Sequence, residues 1–161
     1  WSMLLARPKG FTLIELLVTV TVLAILASVA LPLTQLTAQR QKEQELKENL
    51  REIRNAIDEY KRASDEGRIE KSIDETGYPK DLNSLYKGME DKKSPTRQKL
   101  YFLRRIPRDP FCDCPERDAN ATWNKRSYAS PPDSPQSGDD IYDVYSTSHA
   151  TGINGIPYKD W

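Results

Sequence analysis

The feature that most constrains this chain is an apolar run near its start. Residues 11–33 carry a single charge, Glu15. About 20 apolar residues cross the hydrocarbon core of a bilayer as a helix, so the run is a candidate span. The carboxylate inside it is what needs explaining. A charged side chain within a span costs at least about 2.5–3.5 kcal/mol and marks function by default, with a partner to be named.

A removable signal peptide fits poorly. Such a peptide has an apolar region of roughly 7–15 residues ending in small residues of the A-x-A kind. This run is longer and β-branched throughout, with only loose cleavage matches at 24–27 and 27–30. A plain anchor fits the length but leaves Glu15 unexplained. Charge does not set the orientation: Arg7 and Lys9 precede the run, and Arg40, Lys42 and Lys47 follow it.

The stretch Lys9-Gly10-Phe11-Thr12-Leu13-Ile14-Glu15-Leu16-Leu17-Val18 resembles the processing motif of type IV pilins and type II secretion pseudopilins. The matching features are the basic residue, the glycine, the phenylalanine after it and the glutamate four positions on. The resemblance implies cleavage between Gly10 and Phe11 by a prepilin peptidase on the cytoplasmic side, and N-methylation of Phe11. Residues 1–10 are then a cytoplasmic leader, and the globular part lies outside. A glycine before the cut lets an enzyme approach the backbone closely. Cleavage creates an amine at Phe11, a natural partner for Glu15. That amine can belong to the same chain or to a neighbour in a filament, where the pair would set the axial register of subunits. The alternative is that Glu15 simply sits among lipid headgroups.

Pro32 lies near the end of the run. An interior proline removes one helical hydrogen bond and bends or breaks the helix. The surrounding Ala30-Leu31-Pro32-Leu33 also resembles the family pattern, which implies a bend that unwinds locally in the filament. A simple end to the span is the other reading. Beyond Leu36 the composition becomes charged, with Leu46, Leu50, Ile53, Ile57 and Tyr60 spaced four, three, four and three apart. This stripe predicts one amphipathic face, too short for a coiled coil. One helix is therefore expected over 11–65, with 11–36 for membrane or filament core and 37–65 as an amphipathic continuation. Glu43–Lys47 and Asp58–Arg62 are spaced as favourable i,i+4 pairs.

Residues 66–161 are expected to form the globular domain. Gly77-Tyr78-Pro79 reads as a turn before a short helix over 80–86. Residues 90–99 are polar, contain Pro95 and read as a loop. Residues 123–129 and 141–147 read as strands, joined by a long proline-rich connection. The expected fold is α+β: a long N-terminal helix packed on a small antiparallel sheet, type IV pilin-like. Tyr78-Pro79, Ile106-Pro107-Arg108-Asp109-Pro110-Phe111, Tyr142-Asp143-Val144-Tyr145-Ser146 and Asp160-Trp161 follow in the order of the major type II pseudopilin family.

Two places depart from that family. Its C-terminal loop binds calcium, but over 148–160 the only carboxylate here is Asp160. Calcium takes six to eight oxygens, usually several from carboxylates. A site would rest on carbonyls, Asn154 and Asp160, so no tight site and no cofactor is expected. Cys112 and Cys114 replace a glycine-containing turn. A metal would need two more ligands, and His149 is the only histidine. A local disulfide in an oxidising exterior compartment is the alternative.

Lysine plus arginine equals aspartate plus glutamate at 24 each, which offers no basic footprint for nucleic acid. An anchored enzyme lacks support: neither G-x-S-x-G nor H-E-x-x-H occurs. The resemblance implies a non-enzymatic subunit of a periplasmic pseudopilus that drives export through a type II secretion system. Implied partners are copies of itself, the prepilin peptidase, the inner-membrane secretion platform, minor pseudopilins and membrane lipid. Implied location is the inner membrane, with the C-terminal domain in the periplasm. The rival reading is a type IV pilin of a motility, adhesion or DNA-uptake system.

Overall fold

A computed structural model describes residues 9–161. Most of the leader expected over 1–10, including Arg7, lies outside the described residues. The chain runs α1 (Leu13–Asp65), α2 (Asn83–Lys87), β1 (Met89–Glu90), β2 (Lys99–Leu100), a 3-10 turn (Ala119–Thr122), β3 (Trp123–Arg126), β4 (Asp143–Ser146) and a last 3-10 turn (Tyr158–Asp160). Contacts divide it into two units, with the boundary between Gln39 and Arg40.

In the first unit, α1 is long and apolar enough to cross a membrane. Its Leu, Ile and Val side chains from Leu13 to Leu33 are exposed. The hydroxyls in this stretch bond back to the helix itself. Thr19 donates to Leu16 O (2.8 Å), Thr21 to Leu17 O (2.7 Å), Ser28 to Ile25 O (2.7 Å), Thr34 to Leu31 O (2.8 Å) and Thr37 to Leu33 O (3.0 Å). A helix in lipid must satisfy its polar groups internally, and these residues do so. Pro32 sits inside α1, which continues beyond it, so the proline does not terminate the helix.

In the second unit, the stripe Leu46, Leu50, Ile53, Ile57 and Tyr60 is buried as one face of α1. Ala56 and Ala63 of α1 join it, and Ile69, Leu82, Leu85, Leu103, Ile106, Trp123, Ile141, Val144 and Tyr158 complete the core. Truncating any of these leucines to alanine typically costs about 2–5 kcal/mol. The helix ends in a Schellman motif: Gly67 takes φ +75°, Gly67 N donates to Ser64 O (3.1 Å) and Arg68 N to Ala63 O (2.9 Å). Arg54 ties α1 to later segments, donating to Asp143 Oδ1 (2.7 Å) and to Trp161 O (2.8 Å).

Strands β3 and β4 pair antiparallel, from Trp123 opposite Ser146 to Arg126 opposite Asp143. The expected strand over 123–129 stops at Arg126 because Ser127 N turns to Gln136 O (2.8 Å) in the proline-rich connection. The connection lies so close that a Cβ at Gly138 would sit 2.8 Å from the Ser127 Cβ. Asp109 is 2 % exposed and its carboxylate accepts three bonds. Ser146 Oγ (2.6 Å) and Thr147 N (3.2 Å) donate to its Oδ2, and Phe111 N (2.9 Å) to its Oδ1.

Two local expectations need correction. Residues 90–99 are not wholly a loop: β1 and β2 pair with Met89 opposite Leu100. A turn with Arg97 at φ 51° closes the hairpin. Arg62 pairs with Glu59 (2.8 Å) rather than Asp58.

The hairpin is clipped to the end of α1. Arg68 Nη2 donates to Asp91 Oδ2 (2.8 Å), and Lys92 N donates to Arg68 O (2.8 Å). The bond from Arg68 holds the Asp91 carboxyl below its ordinary value, against a smaller opposing effect of burial. A depressed carboxylate stabilises the fold above its unfolded pKa, and that contribution is lost as pH falls through the folded pKa. Asp91→Asn is therefore expected to melt lower than wild type at neutral pH. The gap should close as pH drops below the usual carboxylate range, as read from melting curves across an acid series.

Candidate processing and assembly site

Gly10, Phe11 and Thr12 precede the first residue of α1. Phe11 is 90 % exposed, and a Cβ at Gly10 would meet nothing within 4 Å. The Gly10–Phe11 bond thus lies outside the helix, and nothing among the described residues covers it.

Thr12 is the N-cap of α1, and its carbonyl accepts from Leu16 N (3.2 Å). Glu15 N donates to Thr12 Oγ1 (3.2 Å), while Thr12 N donates to Glu15 Oε2 (3.0 Å). Thr12 Oγ1 also lies 3.2 Å from Glu15 Oε2 as a donor. This is a reciprocal capping box, in which each side chain satisfies the other's backbone N–H. Glu15 therefore has a partner within its own chain before any amine exists. Its carboxylate points back to the backbone one residue from Phe11. The spacing Thr12-x-x-Glu15 is the sequence signal for this box.

The C-terminal segment was the other candidate site. Asn154 Oδ1 accepts from Ile156 N (3.0 Å). Asp160 is exposed and shares a cavity of ≈ 470 Å³ with Asn154, Lys47, Arg51 and Arg54. A lone carboxylate facing three cationic side chains does not fit a divalent cation that needs several anionic oxygens. Among the described residues no group of three or more His, Cys, Asp or Glu is placed to hold a metal. Cys112 and Cys114 are joined by a disulfide with Cα atoms 5.3 Å apart. Arg108 braces this turn, donating to Cys114 O (2.7 Å) and Arg117 O (2.6 Å).

The i,i+4 spacing of Glu43 and Lys47 predicts a pair on a solvated helix face. Glu43 is instead 9 % exposed. Its Oε1 accepts from Ile153 N (2.8 Å) and Tyr158 Oη (2.8 Å). Nothing in local spacing could have shown bonds to residues so distant in sequence.

The fold, a long N-terminal helix packed with small antiparallel sheets, is consistent with a pilin-like α+β class. The family model described as "Prokaryotic N-terminal methylation motif" matches residues 5–31. Along most of its length the chain is similar to type II secretion core protein G. It is 25 % identical over 157 residues to the "Type II secretion system core protein G" of Dickeya chrysanthemi, covering 92 % of this chain and 95 % of that protein. It is 26 % identical over 109 residues to the protein of that name from Klebsiella pneumoniae, covering 65 % and 70 %. No solved structure matches.

Proposed function

We propose that this chain is a structural subunit of the pseudopilus of a type II secretion system. The observation that carries the reading is the pairing of an exposed apolar helix with a methylation motif at its start, in a chain similar to core protein G over 92 % of its length. A motility pilin would share the motif, but the likeness here extends through the globular domain.

In this reading the peptidase cuts the open Gly10–Phe11 bond and Phe11 is N-methylated. The chain waits in the inner membrane by α1, with residues 66–161 in the periplasm. It polymerises when α1 moves from lipid into a filament core, where Glu15 meets the Phe11 amine and Pro32 is the bend. The secretion platform and minor pseudopilins are its further partners. The work is mechanical and needs no catalytic residues or cofactor.

Intact-mass and N-terminal peptide analysis of the mature protein should show a chain starting at methylated Phe11. A start elsewhere refutes the processing reading. Deletion of the gene should remove specific proteins from the secreted fraction, and an unchanged secretome with lost surface motility would transfer the chain to the motility class.

A further inference from the structure

The C-terminal segment forms a closed loop. Thr151 bridges Pro157 antiparallel. Gly152 N donates to Ile156 O (2.9 Å), Gly155 N to Gly152 O (2.9 Å) and Tyr158 N to Ala150 O (3.1 Å). Trp161 Nε1 also donates to Ile156 O (3.1 Å). A Cβ at Gly152 would lie 2.6 Å from the Trp161 ring, so the loop has no slack there. The carbonyls of Ala150, Gly152 and Ile156 accept these bonds from within the loop itself.

What fastens the loop to the rest of the domain comes from α1. The Glu43 carboxylate receives Ile153 N from the middle of the loop and the Tyr158 hydroxyl from its end, both at 2.8 Å. Tyr158 is 1 % exposed and stacks on Phe111 with ring centroids 4.0 Å apart. The hydroxyl is thus held in place by packing, and the acceptor is placed by a rigid helix. Hydrogen bonds to a charged acceptor are stronger than neutral ones, and leaving buried donors unmet is costly.

We infer that Glu43 is the closing element of the C-terminal loop: its carboxylate holds Ile153 N and Tyr158 Oη, and the loop is ordered without a divalent cation. The role differs from pairing Lys47, and it concerns the second unit alone. It stands or falls independently of filament assembly.

The test uses the full chain in detergent, followed by hydrogen exchange and thermal melting, with calcium or with a chelator. Wild type is expected to give the same melting temperature and the same Ile153 amide protection in both. Glu43→Ala should raise exchange at Ile153 by about tenfold or more. Glu43→Gln, which keeps an acceptor, should restore most of the protection. Tyr158→Phe removes one donor without emptying the core and should open the end of the loop. This variant keeps the test decisive if Glu43→Ala fails to fold. A calcium-dependent rise in melting temperature of several degrees overturns the inference. So does unchanged Ile153 protection in Glu43→Ala, or unchanged protection at the loop end in Tyr158→Phe.

Discussion

Replacing Glu15 with alanine is expected to leave a chain that inserts and is processed, but no longer polymerises. In lipid the carboxylate is unfavourable by about 2.5–3.5 kcal/mol. Pairing with an amine in the filament relieves that penalty. Alanine removes both the penalty and its relief, so a driving force of that order disappears from every subunit addition. About 3 kcal/mol is more than a hundredfold in the addition constant. Membrane fractionation and N-terminal mass analysis would show insertion and cleavage intact, while electron microscopy would show no filaments. Thr12→Ala is the matched comparison. It removes one half of the capping box, worth about 1 kcal/mol, and keeps the carboxylate, so filaments should persist. Normal filaments from Glu15→Ala would end the assembly role.

Asp109→Ala is expected to be among the most destabilising single changes in the globular domain. Ser146 Oγ, Thr147 N and Phe111 N all lose their acceptor at a position 2 % exposed. Bonds to a charged group contribute roughly 1.5–3 kcal/mol each, but within one network they do not add in full, so the loss should reach about 3–5 kcal/mol. A domain of this size is stable by only about 5–15 kcal/mol. Melting temperature should fall by about 10–20 °C. Asp109→Asn retains one acceptor oxygen and should fall less. A loss in Asp109→Ala of only a degree or two by circular dichroism would show that water replaces the carboxylate.

The sequence made α1 and its buried stripe legible because both are periodic. Leu46, Leu50, Ile53, Ile57 and Tyr60 recur at helical spacing and are all in the core. The two longer strands were legible from aromatic and β-branched content, though not where β3 stops, since Ser127 is diverted by Gln136. The β1–β2 hairpin was not legible. Two-residue ladders have no alternation to read, and a backbone turn at Arg97 makes the hairpin. The processing motif was visible as a word in the chain, and its capping geometry was also written there as Thr12-x-x-Glu15. Asp109 stood in a recognisable proline-rich string, but its three donors come from positions gathered only by folding. Glu43 was misplaced for the same reason: i,i+4 spacing named Lys47, while tertiary structure brought Ile153 and Tyr158.

The back-bonded hydroxyls of α1 bear on how freely this helix can change solvent. Thr19, Thr21, Ser28, Thr34 and Thr37 each satisfy themselves on a carbonyl of their own helix. None of them requires lipid, water or another protein chain as a partner. Passage from acyl chains to a protein interior replaces one apolar medium with another, with no hydrophobic gain between helices. Such a segment partitions nearly evenly and can return as readily as it leaves. On the assembly proposed above, the carboxylate of Glu15 tips that balance, because its energy differs between the two media.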